Sequence, residues 1–211
     1  MTDTSAPAPD DSDGERDLRS LFPQQGEWTE KDYLDLTDGT NRLIEFTDGR
    51  VEFLPMPTED HQFVAGFLYH ALLDLVTRRN LGMVPFPPLR VRVRPGKIRQ
   101  PDVLFLHKNN FHKRHNRVWD GADLVMEVVS SDRKDRIRDY EEKLADYAAG
   151  GISEYWIVDP ERRVVTVYRL EDGQYALHGE FVPGQQATSV LLDGFTVDVA
   201  ALFAAADDVV D

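Results

Sequence analysis

The 211-residue chain contains no cysteine. That excludes a disulfide framework and any thiolate metal site, and it agrees with a reducing compartment. Long apolar runs are also missing. None approaches the roughly 20 residues needed to cross a bilayer, and the N-terminus is acidic and proline-rich where a signal peptide would be basic and then apolar. A cytoplasmic protein with no membrane partner is the expectation. Paired histidines at zinc spacing are lacking as well, and so are internal repeats. The length then suits one domain with a sizeable core and short tails. Residues 1–25, rich in Asp, Ser, Pro and Gly, are expected to form a disordered acidic tail. Residues 26–205 are expected to fold, and 206–211 to form a C-terminal tail.

Positive charge is scarce overall: 24 Lys and Arg stand against 38 Asp and Glu, a net charge of −14. It is also unevenly spread. Residues 1–15 hold Asp3, Asp10, Asp11, Asp13 and Glu15 and no cation, whereas Arg90, Arg92, Arg94, Lys97, Arg99, Lys108, Lys113, Arg114 and Arg117 face the single acid Asp102. Screening confines charge effects to about 10 Å, so a local basic surface can contact phosphates on an acidic protein. Arg90, Arg92, Arg94, Lys97 and Arg99 are the candidate nucleic-acid contacts. The competing reading is a solvated, arginine-rich strand edge.

The folded part opens with Thr29 as a helix N-cap with acids behind it. Two short strand patterns, Arg42–Thr47 and Arg50–Leu54, flank Asp48-Gly49, a strong hairpin signal. Apolar residues from Phe63 to Val76 recur at helical spacing after a start at Thr58–His61, with an end near Arg79 and Gly82 just beyond. Met83–Phe86 is a candidate strand broken by prolines. Leu89–Arg94 alternates as a half-buried strand and ends at a Pro95-Gly96 turn. Val103–Leu106 and Leu124–Val129 are apolar strands, the second reading as central and covered on both faces. Ser130, Ser131 and Asp132 offer N-caps for a helix whose apolar face is Ile137, Tyr140, Leu144, Tyr147 and Ala148. Its other acids are expected on a solvated face, and Gly150-Gly151 ends it. Strands over Glu154–Asp159 and Val164–Tyr168, weaker ones near 174–177 and 189–192, and a short helix near 199–203 complete a mixed α/β sheet with two main helices.

Two of these strands each carry a carboxylate, Asp102 where the first begins and Glu127 within the second. An acid inside an apolar strand costs several kcal/mol unless it is paired or binds a cation. A shared divalent ion is the simplest common partner, and magnesium suits an all-oxygen site of a few carboxylates and waters. Glu45, between Ile44 and Phe46, and Lys143, at the edge of the helix's buried face, complete a candidate set. Phosphodiester hydrolysis makes this demand: a cation to neutralise the phosphate and activate water, and a lysine to orient that water and stabilise developing charge. Glu127 could instead be paired with Arg90 or Arg92. His61 reads as a helix-start residue or a hydrogen bonder beside the site, and Tyr155 and Trp156 read as core.

The matching text is Ile44-Glu45-Phe46-Thr47-Asp48-Gly49, His61-Gln62, Pro101-Asp102-Val103, Met126-Glu127-Val128-Val129-Ser130, Lys143 through Tyr147, and Glu154-Tyr155-Trp156-Ile157-Val158-Asp159-Pro160. In this order it resembles the PD-(D/E)XK nuclease superfamily and, more narrowly, the Uma2-type endonucleases, over residues 29–204. The resemblance implies a restriction-endonuclease-like core, a mixed β-sheet flanked by two main helices. It also implies an Mg²⁺ (or Mn²⁺) site and cleavage of DNA. Asp102 and Glu127 would be metal ligands, Glu45 an additional acid at the metal, and Lys143 the catalytic lysine. The superfamily pattern places lysine two residues after the second acid, where this chain has Val129. In the Uma2-type branch the lysine stands on the following helix, which points to Lys143, with Lys134 as the fallback. A homodimer would bring two sites to a double-strand break. Val129 also supports an alternative, the same fold binding nucleic acid or a protein partner without catalysis. A third reading makes the acids purely structural.

Overall fold

A computed structural model describes residues 22–130 and 136–207. Most of the expected acidic tail, the candidate N-caps Ser131 and Asp132, and Lys134 lie outside the described residues. Residues 22–25 lie against the first hairpin: the Gln25 side-chain amide exchanges two 3.0 Å hydrogen bonds with the Val51 backbone, and Phe22 stacks on Trp28.

Helix α1 (Glu30–Asp38) starts at a complete capping box, with Thr29 Oγ1 accepting from Asp32 N–H and the Asp32 carboxylate accepting from Thr29 N–H. Strands β1 (Ile44–Thr47) and β2 (Arg50–Phe53) follow as an antiparallel hairpin. Asp48 and Gly49 both have positive φ, 45° and 78°, as a two-residue turn between right-twisted strands requires. Helix α2 (Glu59–Arg78) is capped by Thr58. Asn80, at φ 50°, takes the left-handed position past its end. Gly82 was the expected stop; it instead opens strand β3 (Gly82–Met83). The prolines at 85, 87 and 88 hold that strand to two residues.

Strand β4 (Val91–Arg94) alternates buried valines with partly exposed arginines, as expected. The Pro95-Gly96 turn leads into β5 (Lys97–Arg99), a three-residue strand that the sequence does not announce because cations flank its single apolar residue. Strands β2, β1, β5 and β4 form one four-stranded sheet in that order. Then come β6 (Val103–His107), a 3₁₀ turn over Lys108–Lys113, β7 (Leu124–Val128), a π turn over Arg138–Glu142 that runs into α3 (Lys143–Ala149), and β8 (Glu154–Asp159). Strands β9 (Val164–Glu171) and β10 (Gln174–Phe181) are longer than expected. The final small sheet pairs β11 (Gln186–Thr188) with β12 (Thr196–Asp198), and the chain continues into α4 (Val199–Asp207). The expected strand at 189–192 is a turn between β11 and β12.

The main sheet runs β10-β9-β8-β7-β6-β3, antiparallel throughout except for the parallel pair β7–β8. A parallel pair needs a crossover, and the π turn with α3 provides it. One sheet face packs Val103, Phe105, Met126, Val128 and Trp156 against α2 and α4. The other packs Leu104, Val125, Val129, Tyr155 and Ile157 against Tyr147 of α3 and Val91 and Val93 of β4. Strand β7 is therefore covered on both sides, as its apolar sequence demands. This is the mixed α/β architecture expected from the sequence, with α2 and α3 as the two main helices.

Strand β3 pairs with β6 at close quarters. A Cβ at Gly82 would collide with the Leu106 carbonyl and approach His107 Cα at 2.9 Å. Gly82→Ala is expected to cost about 1–3 kcal/mol, a fall of roughly 3–10 °C in Tm measured by calorimetry.

Candidate active site

The pairing of β6 with β7 sets Val103 opposite Met126. One step further along the same ladder, Asp102 stands across from Glu127. Residues directly opposite on adjacent strands share a face, with Cβ atoms about 5 Å apart. That face is the one beneath α3. Asp102 Oδ2 accepts from Val128 N–H at 2.8 Å and Oδ1 lies 3.0 Å from His61 Nε2. His61 reaches it from the first turn of α2. The Asp102 side chain keeps 23% of its surface exposed, whereas that of Glu127 keeps 3%.

Glu127 accepts from Tyr147 OH at 2.5 Å through Oε1 and meets Lys143 Nζ at 2.9 Å through Oε2. Arg90 and Arg92 are not its partners: Arg90 pairs with Asp38, and Arg92 with Glu30 and Asp120. Lys143 is fully buried, not at the edge of the helix's hidden face, and its ammonium also lies 2.9 Å from Asp139 Oδ1. Asp139 is buried too, a correction to the expected solvated acidic face, on which Glu141 and Glu142 do lie exposed. Asp139, Lys143 and Tyr147 line one side of the crossover at i, i+4, i+8, a spacing that could have flagged them together. The π turn releases carbonyls from the α-helical pattern, and Tyr155 OH donates to the Asp139 carbonyl at 3.0 Å.

These groups surround a small cavity of about 70 Å³, with Leu54, Pro55, Met56 and Pro57 on its apolar side and Asp102, Glu127, Asp139, Lys143, Arg138 and His61 on its polar side. It has room for a few waters or a hydrated ion. Three carboxylates share this cavity with Lys143, Arg138 and His61, and the protonation states reflect that crowding of charge. Burial, reinforced by the charges of Asp102 and Asp139, pushes Glu127 up to about 8, against the pull of Lys143. Burial also opposes charge on Lys143, but the surrounding carboxylates outweigh it and hold the ammonium above its ordinary range. Burial likewise works against Asp102, yet the His61 hydrogen bond and charge, Lys143 and Val128 N–H keep it below its usual value, and His61 is raised in turn.

Glu45 lies off this cavity. Its oxygens are taken by the Arg99 guanidinium and by Gln100 N–H at 3.1 Å. Burial acts against its ionisation, but Arg99 and Lys143 hold it below its ordinary value. Arg99 also grips Asp146 of α3 at 2.6 Å, and Lys97 joins at 3.0 Å. Glu45 thus belongs to a clamp between the small sheet and α3, and Gln100, one step from Pro101-Asp102, is pinned to β1 at both its N–H and its side chain. Of the five candidate nucleic-acid contacts, Lys97 and Arg99 are buried in this clamp. Arg90, Arg92 and Arg94 are partly exposed and each carries a carboxylate partner, Asp48 in the case of Arg94. Lys108, Lys113 and Arg114 have no carboxylate partner among the described residues, and Arg114 lies over the Phe111 and Trp119 rings.

Among the described residues, no three His, Asp or Glu side chains are arranged to grip an ion by themselves. The Asp102–Glu127 pair still fits magnesium, which takes one or two carboxylates and completes its shell with waters and substrate phosphates. The repulsion between the Asp102 and Glu127 carboxylates is what such an ion would relieve.

The model of the Uma2 family, described as "Putative restriction endonuclease", matches residues 30–200. A crystal structure at 1.96 Å resolution of "a putative nuclease belonging to DUF820" from Anabaena variabilis ATCC 29413 aligns with a TM-score of 0.65 and 16% identity, covering 82% of this chain and 98% of that one. At that identity the likeness is one of fold. No curated protein matches the chain. No helix among the described residues is long and apolar enough to cross a membrane.

The Glu127 shift has a signed consequence. Its folded value near 8 lies above the unfolded value near 4.5, so its destabilising effect is absent below about pH 4.5, grows with rising pH and is complete above about pH 8. Metal-free Glu127→Gln is expected to melt several degrees above the parent at pH 8.5 and at nearly the same temperature at pH 5. Equal melting at pH 8.5 would mean that Glu127 carries no such penalty.

Proposed function

The chain belongs to the Uma2 family, and from that premise we propose that it is a magnesium-dependent endonuclease hydrolysing phosphodiester bonds in DNA. The observation that carries this reading is the meeting of Asp102 and Glu127 across one strand pair, with the Lys143 ammonium 2.9 Å from Glu127. Asp102 and Glu127 would hold the ion. When bound, a divalent ion supplies positive charge against the phosphate and lowers the pKa of water beside it. Lys143 orients the attacking water and stabilises charge growing on the phosphoryl oxygens. Val128 N–H and His61 fix the Asp102 carboxylate, and Tyr147 OH fixes that of Glu127. Glu45 assists from behind, through Arg99 and Gln100, and is not in contact with the ion.

Arg90, Arg92 and Arg94 are the proposed phosphate contacts of the β4 edge. The Arg94–Asp48 pair is the most exposed of the three, and exposed pairs are worth about 0–1 kcal/mol, so a DNA phosphate can replace that carboxylate at little cost. Lys97 and Arg99 support α3 in this reading. Two chains acting as a homodimer would place one site on each DNA strand. Val129 at the superfamily's lysine position favours a second reading, the same fold binding nucleic acid or a protein without cutting.

Titration with Mg²⁺ or Mn²⁺ is expected to raise Tm in proportion to the logarithm of free ion above its Kd. Asp102→Asn is expected to abolish that rise. The purified protein is expected to nick or linearise supercoiled plasmid and to stop on addition of EDTA. A metal-dependent rise in Tm with no cleavage of any DNA form would leave the non-catalytic reading in possession.

A further inference from the structure

Lys143 has two carboxylate partners, and only one of them is a proposed metal ligand. Its ammonium sits 2.9 Å from Glu127 Oε2 and 2.9 Å from Asp139 Oδ1, with all three side chains buried. Among the described residues Asp139 Oδ1 accepts no hydrogen bond; it meets the Lys143 ammonium at 2.9 Å as an ion pair, with Arg138 Nε farther off at 3.8 Å. A buried carboxylate held mainly by one ammonium is costly, and nothing in the β6–β7 ladder requires it. Asp139 lies one helical turn before Lys143, and its backbone carbonyl is anchored by Tyr155 OH. An ion drawing on Glu127 competes with the ammonium for the same oxygen atoms. A lysine on a helix, released from Glu127, has several rotatable bonds through which to leave the cavity.

We propose that Asp139 is the positioning residue for Lys143. It retains the ammonium in the cavity when Glu127 turns to the metal, so that the lysine stays beside the reacting phosphate. This inference rests on the nuclease reading of the same site and adds to it a residue that does not touch the ion. It also accounts for how a lysine displaced from strand position 129 to a helix can be aimed as reliably as one on a strand. The strand fixes the direction of its side chains through the pleat, whereas a helix lysine needs a fixed counter-charge in its own layer.

The test uses the full chain and three variants, Asp139→Asn, Lys143→Met and their double. Asp139→Asn is expected to keep the Mn²⁺-induced rise in Tm, with an apparent Kd within about threefold of the parent. On supercoiled plasmid it is expected to lose about 10²-fold in kcat with KM nearly unchanged, the cost of a misplaced catalytic group. The double-mutant cycle in saturating Mn²⁺ is expected to give a coupling of about tenfold in the unfolding constant between positions 139 and 143. Loss of the metal-induced rise in Asp139→Asn would make Asp139 a ligand and overturn the proposal, as would parental cleavage. If the parent cuts nothing, the nuclease reading fails, but the cycle still decides: coupling in Mn²⁺ supports the retention of Lys143 by Asp139, and its absence overturns it. If Asp139→Asn does not melt cooperatively, the parent carries the test through the Lys143 side-chain NH₃⁺ resonance. Persistence of that resonance in saturating Mg²⁺ supports the proposal; collapse to the signal of a free lysine overturns it.

Discussion

The Lys143 ammonium meets two carboxylates in a cavity where burial penalises every charge. Glu127 and Asp139 approach it from opposite layers, one from the central strand and one from the crossover. Removing the Lys143 ammonium would cost about 3–5 kcal/mol, because the buried carboxylates left behind would lose their nearest counter-ion with no water to replace it. Much of the surrounding structure serves to hold the two layers in register. Arg99 and Lys97 tie the small sheet to Asp146 of α3, and Tyr147 and Tyr155 reach across to Glu127 and to the Asp139 carbonyl. Two layers slipping past one another would break these contacts together, so the cavity is as ordered as the packing between sheet and helix.

What was legible in the sequence was what local rules determine. Asp48-Gly49 marked its hairpin because few residue pairs accept two positive φ angles. Thr29 and Thr58 marked helix starts because their hydroxyls serve free N–H groups. The unbroken apolar run of β7 announced a strand covered on both faces, and Asp102 and Glu127 stood out because each interrupted such a run. The rest was set by tertiary contacts. Strand β5 is three residues long, and Lys97 and Arg99 are buried only because Glu45 and Asp146 receive them. Asp139 and Asp146 look like surface acids until the crossover is laid on the sheet. Tyr147 was recognised as a core residue, but nothing local says that its hydroxyl meets a carboxylate.

The basic segment shows how linear charge density can mislead. Nine cations with one acid among them suggest a positive surface, yet the partners are supplied from elsewhere in the chain. Arg92 takes Glu30 from α1 and Asp120 from the loop after β6, and Arg94 takes Asp48 from the hairpin turn. A strongly acidic protein has carboxylates to spare, so an arginine row on a strand tends to be neutralised by its neighbours in space. The cations that escape pairing among the described residues, Lys108, Lys113 and Arg114, sit where the chain forms a 3₁₀ turn and an aromatic platform, whose nearby acids are taken by other groups.

The position of the lysine links these points. On a strand, a residue two places after Glu127 shares its face, which is why acid and lysine can be adjacent in a sequence motif and in space at once. Here that place is Val129, packed into the apolar cluster with Tyr147 and Ile157. The positive charge comes instead from the layer above. In the proposed reading the motif spacing is lost while the meeting of charges is kept, and that exchange has a structural cost. A charge carried by the helix is only as well placed as the helix, so the chain needs the Arg99–Asp146 clamp to fix α3 and a second carboxylate to fix Lys143 upon it. On that reading, buried ionic groups that a count of candidate ligands would set aside are what a lysine carried by the helix depends on.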